Sequence, residues 1–159
     1  MFAEECHKAA KDFPDVVMED VLIDSFALKL AMKPQQYDVV VTTNTFGDIL
    51  TDLGAGLAGG LGLAPGMCVG ETQAMAQATH GSAPDIAGKG LANPYAMIMS
   101  GKLMLEWLGH KHGDALAVQA AHAIDHAVER VIAEGRHLTG DIGGTASTSQ
   151  MGDAIAAAV

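Results

Sequence analysis

Asp48 and Asp52 stand four residues apart in the run Asn44–Thr45–Phe46–Gly47–Asp48–Ile49–Leu50–Thr51–Asp52. On a helix that spacing sets both carboxylates on one face, roughly 5–6 Å apart at Cβ. The ordinary fate of such a pair is two solvated acids on an exposed face. Its chemical use is to hold a hard divalent cation, since Mg²⁺ or Mn²⁺ takes carboxylate oxygens and keeps open positions for water and substrate. Asp24, at a strand-to-helix junction, is a candidate third ligand. A metal held this way can bind a substrate's hydroxyl and carboxylate and act as a Lewis acid.

A second candidate lies in His80–Gly81–Ser82–Ala83–Pro84–Asp85. Loop N–H groups among small residues let a backbone come close to a phosphate. Asp85 can accept hydrogen bonds from both ribose hydroxyls, and its charge repels a 2′-phosphate, which favours NAD over NADP. The same composition also builds ordinary turns. His122 and His126 have metal-ligand spacing, but they share the polar side of their helix with Gln119, Glu129 and Arg130. The sequence there is not His-Glu-x-x-His. These two, with His110 and His112, read as solvated side chains.

The elements that must position these groups can be read from periodicity. Phe2, Cys6, Ala9, Ala10 and Phe13 share one face of a helix that Pro14 stops. Val16–Ile23 is rich in β-branched residues and reads as a strand. Phe26–Met32 reads as a short helix capped by Asp24 or Ser25. Tyr37–Val41 reads as a second, buried strand leading into the Asp48–Asp52 helix. That helix continues into Gly54-x-Gly56-x-x-Gly59, which matches the dinucleotide fingerprint by letter. The fingerprint requires its first glycine directly after a strand, whereas these glycines lie within or at the end of a helix. Close helix packing is the better reason for them.

Gly60–Gly70 reads as a connection between two regions, and Ala74–Ala78 as a strand. Asn93–Pro94 opens an apolar helix expected to be buried, with its methionines as core filler. A further helix over about Asp114–Glu134 carries Leu116, Ala120, Ile124, Val128 and Val131 as its apolar stripe. Thr139–Thr145 is another glycine loop, followed by a terminal helix from about Ser149.

At 159 residues, 49% of them hydrophobic, the chain has enough apolar material for a sizeable core. Asp and Glu outnumber Lys and Arg 19 to 9, a formal charge of −10. That balance disfavours nucleic acid and anionic membrane as partners and suits a protein that holds cations. Cys6 and Cys68 lie far apart with no Cys-x-x-Cys, which fits a reducing cytoplasm. The first residues, Met1–Lys8, show no basic segment followed by an apolar one, so no signal peptide is expected.

Taken together, the Asn44–Asp52 run and the run from His80 through Asp85–Ile86–Ala87–Gly88–Lys89–Gly90–Leu91–Ala92–Asn93–Pro94 resemble the isocitrate/isopropylmalate dehydrogenases, metal-dependent β-decarboxylating enzymes. The Asp141–Ile142–Gly143–Gly144 loop fits the same family. The resemblance implies an α/β fold with a mixed sheet and flanking helices, not a Rossmann fold, assembled as a homodimer. It implies Asp24, Asp48 and Asp52 as metal ligands through which catalysis works, with Asp24 reaching the partner's site. It implies His80, Gly81, Ser82, Ala83, Pro84, Asp85, Asn93 and Asp141 as cofactor-binding residues. Asp85 with Ile86 resembles the NAD-using pattern. Residues 1–59 would then belong to the substrate, metal and dimer domain, and 60–159 to the NAD-binding domain.

The reaction implied is oxidation of a small hydroxy acid by NAD with Mg²⁺ or Mn²⁺, followed by loss of CO₂. Ala55–Gly66 leans toward the isocitrate type and His80–Lys89 toward the isopropylmalate type. Two departures stand out. Gln77 occupies the position of the family's usual glutamate near the nicotinamide. The family's substrate arginines, catalytic tyrosine and catalytic lysine lie upstream of the matched region, and Lys29 and Tyr37 are not at matching positions. The resemblance therefore covers a C-terminal portion, and the alternative expectation is a catalytically silent fragment or a nucleotide-binding, assembly subunit.

Overall fold

Six α-helices and one β-hairpin make up the regular structure of residues 1–159 in the computed structural model. They fall into two units, Met1–Leu57 and Ala58–Val159. The class is α/β, as expected, but the sheet is a two-stranded antiparallel hairpin and not the mixed sheet that the resemblance implies. No helix is long and apolar enough to cross a membrane.

The first unit holds α1 (Phe2–Ala10), α2 (Ile23–Met32) and most of α3 (Asn44–Ala58). Both strands expected here are absent. Residues 16–22 are irregular, and Tyr37–Val41 pairs with nothing. A strand exists by pairing, because each extended residue must place its N–H and C=O on a neighbour or in water. Without one, Val17 remains 95% exposed and Val39 83%. Phe26, Leu50 and Ala55 are the buried apolar residues of this unit, with Phe26 edge-to-face on Tyr37 at 4.8 Å between ring centroids. The apolar face of α1 stays largely in solvent, with Phe2 and Phe13 exposed.

Neither expected cap closes the start of α2. Leu22 is its N-cap residue, and Asp24 Oδ1 accepts from the adjacent Ser25 N–H at 2.7 Å. Helix α3 runs through Gly54 and Gly56. A Cβ at either glycine would meet no atom within 4 Å, so the close packing expected there is not made within this chain. Gly59 and Gly60, at φ +118° and +128°, turn the backbone out of the helix.

The second unit starts with β1 (Pro65–Val69) and β2 (Ala74–Ala78), in register from Pro65 opposite Ala78 to Val69 opposite Ala74. Strand β1 lies inside the stretch expected to be a plain connection. Its proline stands at the first strand position, where no ladder donor is missed. Its glycine is required because a Cβ at Gly66 would sit 3.0 Å from the Gln77 carbonyl oxygen. Helix α4 (Tyr95–His112) packs against both strands and against α5 (Ala115–Glu134). Fully buried Ser100 ties β1 to α4: its Oγ accepts from Gly66 N–H at 3.1 Å and donates to the Ala96 carbonyl at 2.7 Å.

Helix α4 is less buried than its composition predicts, with Ala96, Ser100 and Gly109 inside and Met97 exposed. At Gly109 a Cβ would lie 2.5 Å from Val118 Cγ2, so the glycine sets the α4–α5 approach. The stripe on α5 holds at Val128 and Val131 but not at Leu116, which is 75% exposed in the first turn. These valines join Ala127 and, from α6 (Thr148–Ala156), Met151 and Ile155 in one core cluster.

Candidate functional site

Helix α3 places Asp48 and Asp52 one turn apart, both exposed. Asn44 Nδ2 donates to Asp48 Oδ2 at 3.1 Å, and Thr51 Oγ donates back to the Gly47 carbonyl at 2.9 Å. Neither carboxylate enters an ion pair. Asp24 projects from the first turn of α2 and is also exposed. It does not join the other two, and no three acidic, histidine or cysteine side chains of the chain gather closely enough to share an ion. The donor set thus fits a hard cation in kind, two solvent-facing carboxylates on one helix face, and supplies only part of a coordination shell.

The His80–Asp85 loop is exposed throughout. Thr79 anchors its start, with its N–H and Oγ–H both donating to the Ala64 carbonyl, at 3.2 and 2.9 Å. Ala83 adopts φ +42°, the one non-glycine residue of the chain in the left-handed region, and Pro84–Ile86 then forms a single 3-10 turn. A left-handed alanine is strained, and such positions cluster at ligand-binding turns. The N–H groups of Gly81, Ser82 and Ala83 donate to no protein acceptor. His80 Nδ1 lies 3.0 Å from the Gly81 carbonyl oxygen. Free N–H groups on small residues fit an anionic phosphate in kind.

Asn93 and Asp141, distant in sequence, are brought together. Asn93 is only 6% exposed, and its Nδ2 donates to Asp141 Oδ2 at 3.0 Å. Its Oδ1 accepts from Tyr95 N–H at 2.9 Å, at the start of α4. The other Asp141 oxygen accepts from Thr139 Oγ at 2.5 Å. Sequence reasoning missed three contributors here. Gly62 has no room for a Cβ, which would lie 2.8 Å from Asp141 Oδ2. Thr139 is fully buried beneath the aspartate. Thr148 ties α6 to the Gly90–Ala92 loop through its N–H to the Gly90 carbonyl at 2.8 Å and its hydroxyl to the Ala92 carbonyl. The legible signal was the glycine in Gly143–Gly144, since a Cβ at Gly144 would collide with Leu138 O.

The remaining polar groups stand apart from these. His110, His112, His122 and His126 are exposed. Gln77 is exposed on β2, opposite Gly66. Lys102 joins α4 to α5, with Nζ 2.9 Å from Glu106 Oε2 and 3.6 Å from Asp125 Oδ2. The hydrogen bond to Glu106, reinforced by both negative charges, holds the Lys102 ammonium above its usual range against the opposing effect of burial. The same hydrogen bond holds the Glu106 carboxyl below its own usual range.

The family model described as isocitrate/isopropylmalate dehydrogenase matches residues 1–155. The isocitrate/homoisocitrate dehydrogenase of Thermus thermophilus is 46% identical over 159 residues, all of this chain and 45% of that protein. The 3-isopropylmalate dehydrogenase of Archaeoglobus fulgidus is 45% identical over 156 residues, 98% of this chain and 45% of that protein. The crystal structure of isocitrate dehydrogenase from Methylococcus capsulatus superposes with a TM-score of 0.90 at 46% identity, covering 99% of this chain and 45% of that one. The chain therefore spans just under half the length of the relatives it matches.

Proposed function

This chain belongs to the isocitrate/isopropylmalate dehydrogenase family, and from that premise we propose that the protein it forms part of oxidatively decarboxylates a 2-hydroxy-3-carboxy acid, isocitrate or 3-isopropylmalate, using NAD and Mg²⁺ or Mn²⁺. The observation that carries the reading is the α3 carboxylate pair, two exposed aspartates one turn apart with no protein cation to neutralise them. In this reading Asp48 and Asp52 hold the metal, and Asp24 completes the shell of a partner subunit in a homodimer. Residues 1–59 serve the substrate, metal and dimer domain, and 60–159 the nucleotide domain of a cytoplasmic, non-Rossmann enzyme.

Asp48 and Asp52 would hold the divalent ion, which would supply Lewis-acid polarisation of a substrate carbonyl, and the Gly81–Asp85 loop would hold NAD, which would supply a hydride acceptor for the oxidation that precedes loss of CO₂. The chain's own residues bind and orient. The free N–H groups of Gly81–Ala83 hold phosphate, Asp85 accepts from the adenosine ribose and excludes a 2′-phosphate, and Asn93 meets the base. A second reading concerns the chain by itself. Its exposed Val39–Val41 segment and the absence of the family's lysine, tyrosine and arginines favour a catalytically silent state until the preceding half is supplied.

A chimera tests both readings. The first half of the Thermus thermophilus relative, joined to this chain, should form NADH with Mn²⁺ and at least one of the two acids, and the chain alone should form none. Asp48→Asn and Asp52→Asn should each weaken Mn²⁺ binding in the chimera. Unchanged Mn²⁺ affinity in both variants would return the pair to a plain charged face, and turnover by the chain alone would overturn the silent state.

A further inference from the structure

Helices α5 and α6 leave an open cleft between their last turns, with a cavity volume of about 270 Å³. Its apolar wall is Val131, buried on α5, with Ala154, Ala157 and Ala158 at the end of α6. Arg130 and Glu134 line the same cleft, one turn apart on α5. Opposite charges at that spacing ordinarily meet, although arginine before glutamate is the poorer order. Here neither enters an ion pair. Arg130 is turned instead to the end of α6, with Nη2 donating to the Ala158 carbonyl at 2.7 Å. That bond uses one of the five guanidinium N–H groups. The cleft thus carries a cation and an anion, neither neutralised, beside one apolar wall. Its volume lies just under the range of about 300–1,000 Å³ usual for small-molecule sites, so its occupant must be compact.

We propose that this cleft binds a free α-amino acid with a small aliphatic side chain. Such a molecule carries a carboxylate and an ammonium on one carbon, which matches two opposite charges one helical turn apart. Its carboxylate takes the remaining Arg130 N–H groups, in the two-bond geometry that a guanidinium favours. Its ammonium faces Glu134, and its side chain covers Val131 and the alanines, where apolar area leaves water. A phosphate or a hydroxy acid lacks the ammonium and meets Glu134 as a like charge. An amine without a carboxylate meets Arg130 in the same way. Both charged groups are exposed, so solvent screens each contact and the affinity belongs in the millimolar range. The lining shares no residue with the α3 carboxylates or the His80–Asp85 loop, so the inference stands independently of the proposed reaction.

Amide NMR of the full chain titrated with L-valine tests this. Two comparison probes accompany it: 3-methylbutanoate, which lacks the ammonium, and isobutylamine, which lacks the carboxylate. L-Valine should shift the amides of residues 130–137 and 154–158 along saturating curves, with a Kd of about 1–10 mM. Each comparison probe should bind about fivefold more weakly or worse. Ala154→Leu, which fills the cleft, should abolish the saturating shifts. Arg130→Gln should make L-valine bind no better than isobutylamine, and Glu134→Gln no better than 3-methylbutanoate. His137 also borders the cleft, and His137→Gln should leave the affinity within about twofold. A loss of binding there would take the carboxylate away from Arg130 and overturn the assignment. If 3-methylbutanoate bound as well as L-valine, the cleft would be a plain anion site; if isobutylamine did, a plain cation site; either result sinks the proposal. So do shifts centred elsewhere, or none that saturate by about 50 mM. Should Arg130→Gln not fold, because its contact with Ala158 is lost, Glu134→Gln carries the test, since that carboxylate enters no ion pair. Unchanged L-valine affinity in Glu134→Gln is equally fatal.

Discussion

The two units of this chain have similar building material and opposite fates. In Ala58–Val159, α5 and α6 close over Ala127, Val128, Val131, Met151 and Ile155, and the polar groups left inside are bonded: Ser100 to the hairpin and Thr139 to Asp141. In Met1–Leu57, Val17, Leu22, Leu28, Val39 and Val41 are all more than 60% exposed. The difference does not lie in hydrophobicity. It lies in whether each apolar segment meets a complementary surface, and in a chain spanning under half of its relatives the first unit's extended segments meet none.

The largest effect that can break this comparison is in amide exchange. Residues 37–43 should exchange at nearly the unprotected rate in the chain alone, while the amides of Val128 and Val131 should be slowed by on the order of 10³-fold or more, as expected for a cooperatively folded unit. In the chimera with a preceding half, protection should appear at 37–43. Equal protection of the two regions in the chain alone would show that the first unit is stable without a partner.

This contrast also explains what was legible in the sequence. Helices were readable because their hydrogen bonds are local. The Asp48–Asp52 spacing marked α3, the helix expected over about Asp114–Glu134 runs from Ala115 to Glu134 with Asp114 as its N-cap, accepting from Leu116 N–H at 2.9 Å, and the terminal helix was off by one residue. Strands were not readable in the same way. Val16–Ile23 and Tyr37–Val41 carry β-branched residues in plenty, but pairing is non-local and no partner is present. The reverse error occurred at β1. Pro65 and Gly66 hid a strand, because the reason for Gly66 lies in the Gln77 carbonyl across the hairpin. Of the candidate site residues, the Asp48–Asp52 pair and the His80–Asp85 loop were visible as local patterns. The Gly62–Asn93–Asp141–Thr139 cluster was not, because its members come from three separate stretches.

Within the second unit the core should dominate. Met151 is fully buried between α5 and α6 and also touches the Thr139 hydroxyl through its sulfur, at 3.8 Å. Met151→Ala should lower stability by about 2–5 kcal/mol, the usual range for emptying such a site. Urea denaturation followed by helix signal measures it. A loss under about 1 kcal/mol would mean that the core relaxes to fill the space. Leu116→Ala, in the exposed first turn of α5, is the control and should stay within about 0.5 kcal/mol.

A smaller effect is expected at the ion cluster between α4 and α5. Lys102→Met should cost about 1–2 kcal/mol near neutral pH, since it leaves the partly buried Glu106 and Asp125 without their cation. The pH dependence is specific. Glu106 has its carboxyl pulled down in the folded state, so its contribution is present above the ordinary carboxylate value and is lost as pH falls through the lowered one. Lys102 has its ammonium pulled up, so its contribution is complete below the ordinary lysine value and is lost as pH rises through the raised one. The gap between wild type and variant should therefore be widest at intermediate pH and shrink toward both extremes. A gap independent of pH would assign the effect to packing of the lysine stem.

The smallest effect distinguishes local from tertiary stabilisation in the second unit. Ser147 closes the start of α6 with a capping box: its Oγ accepts from Gln150 N–H at 3.2 Å, while Gln150 Oε1 accepts from Ser147 N–H at 2.8 Å. Ser147→Ala removes one of these bonds and should lower stability by about 1 kcal/mol. The loss should be read in the same urea experiment as Met151→Ala, because α6 has a neighbour to transmit it to: Met151 and Ile155 lie in the shared core. If α6 frayed independently, helix signal would fall before the midpoint with no shift of the midpoint itself. A uniform shift with an unchanged slope shows instead that the cap, though local in origin, is counted by the whole unit.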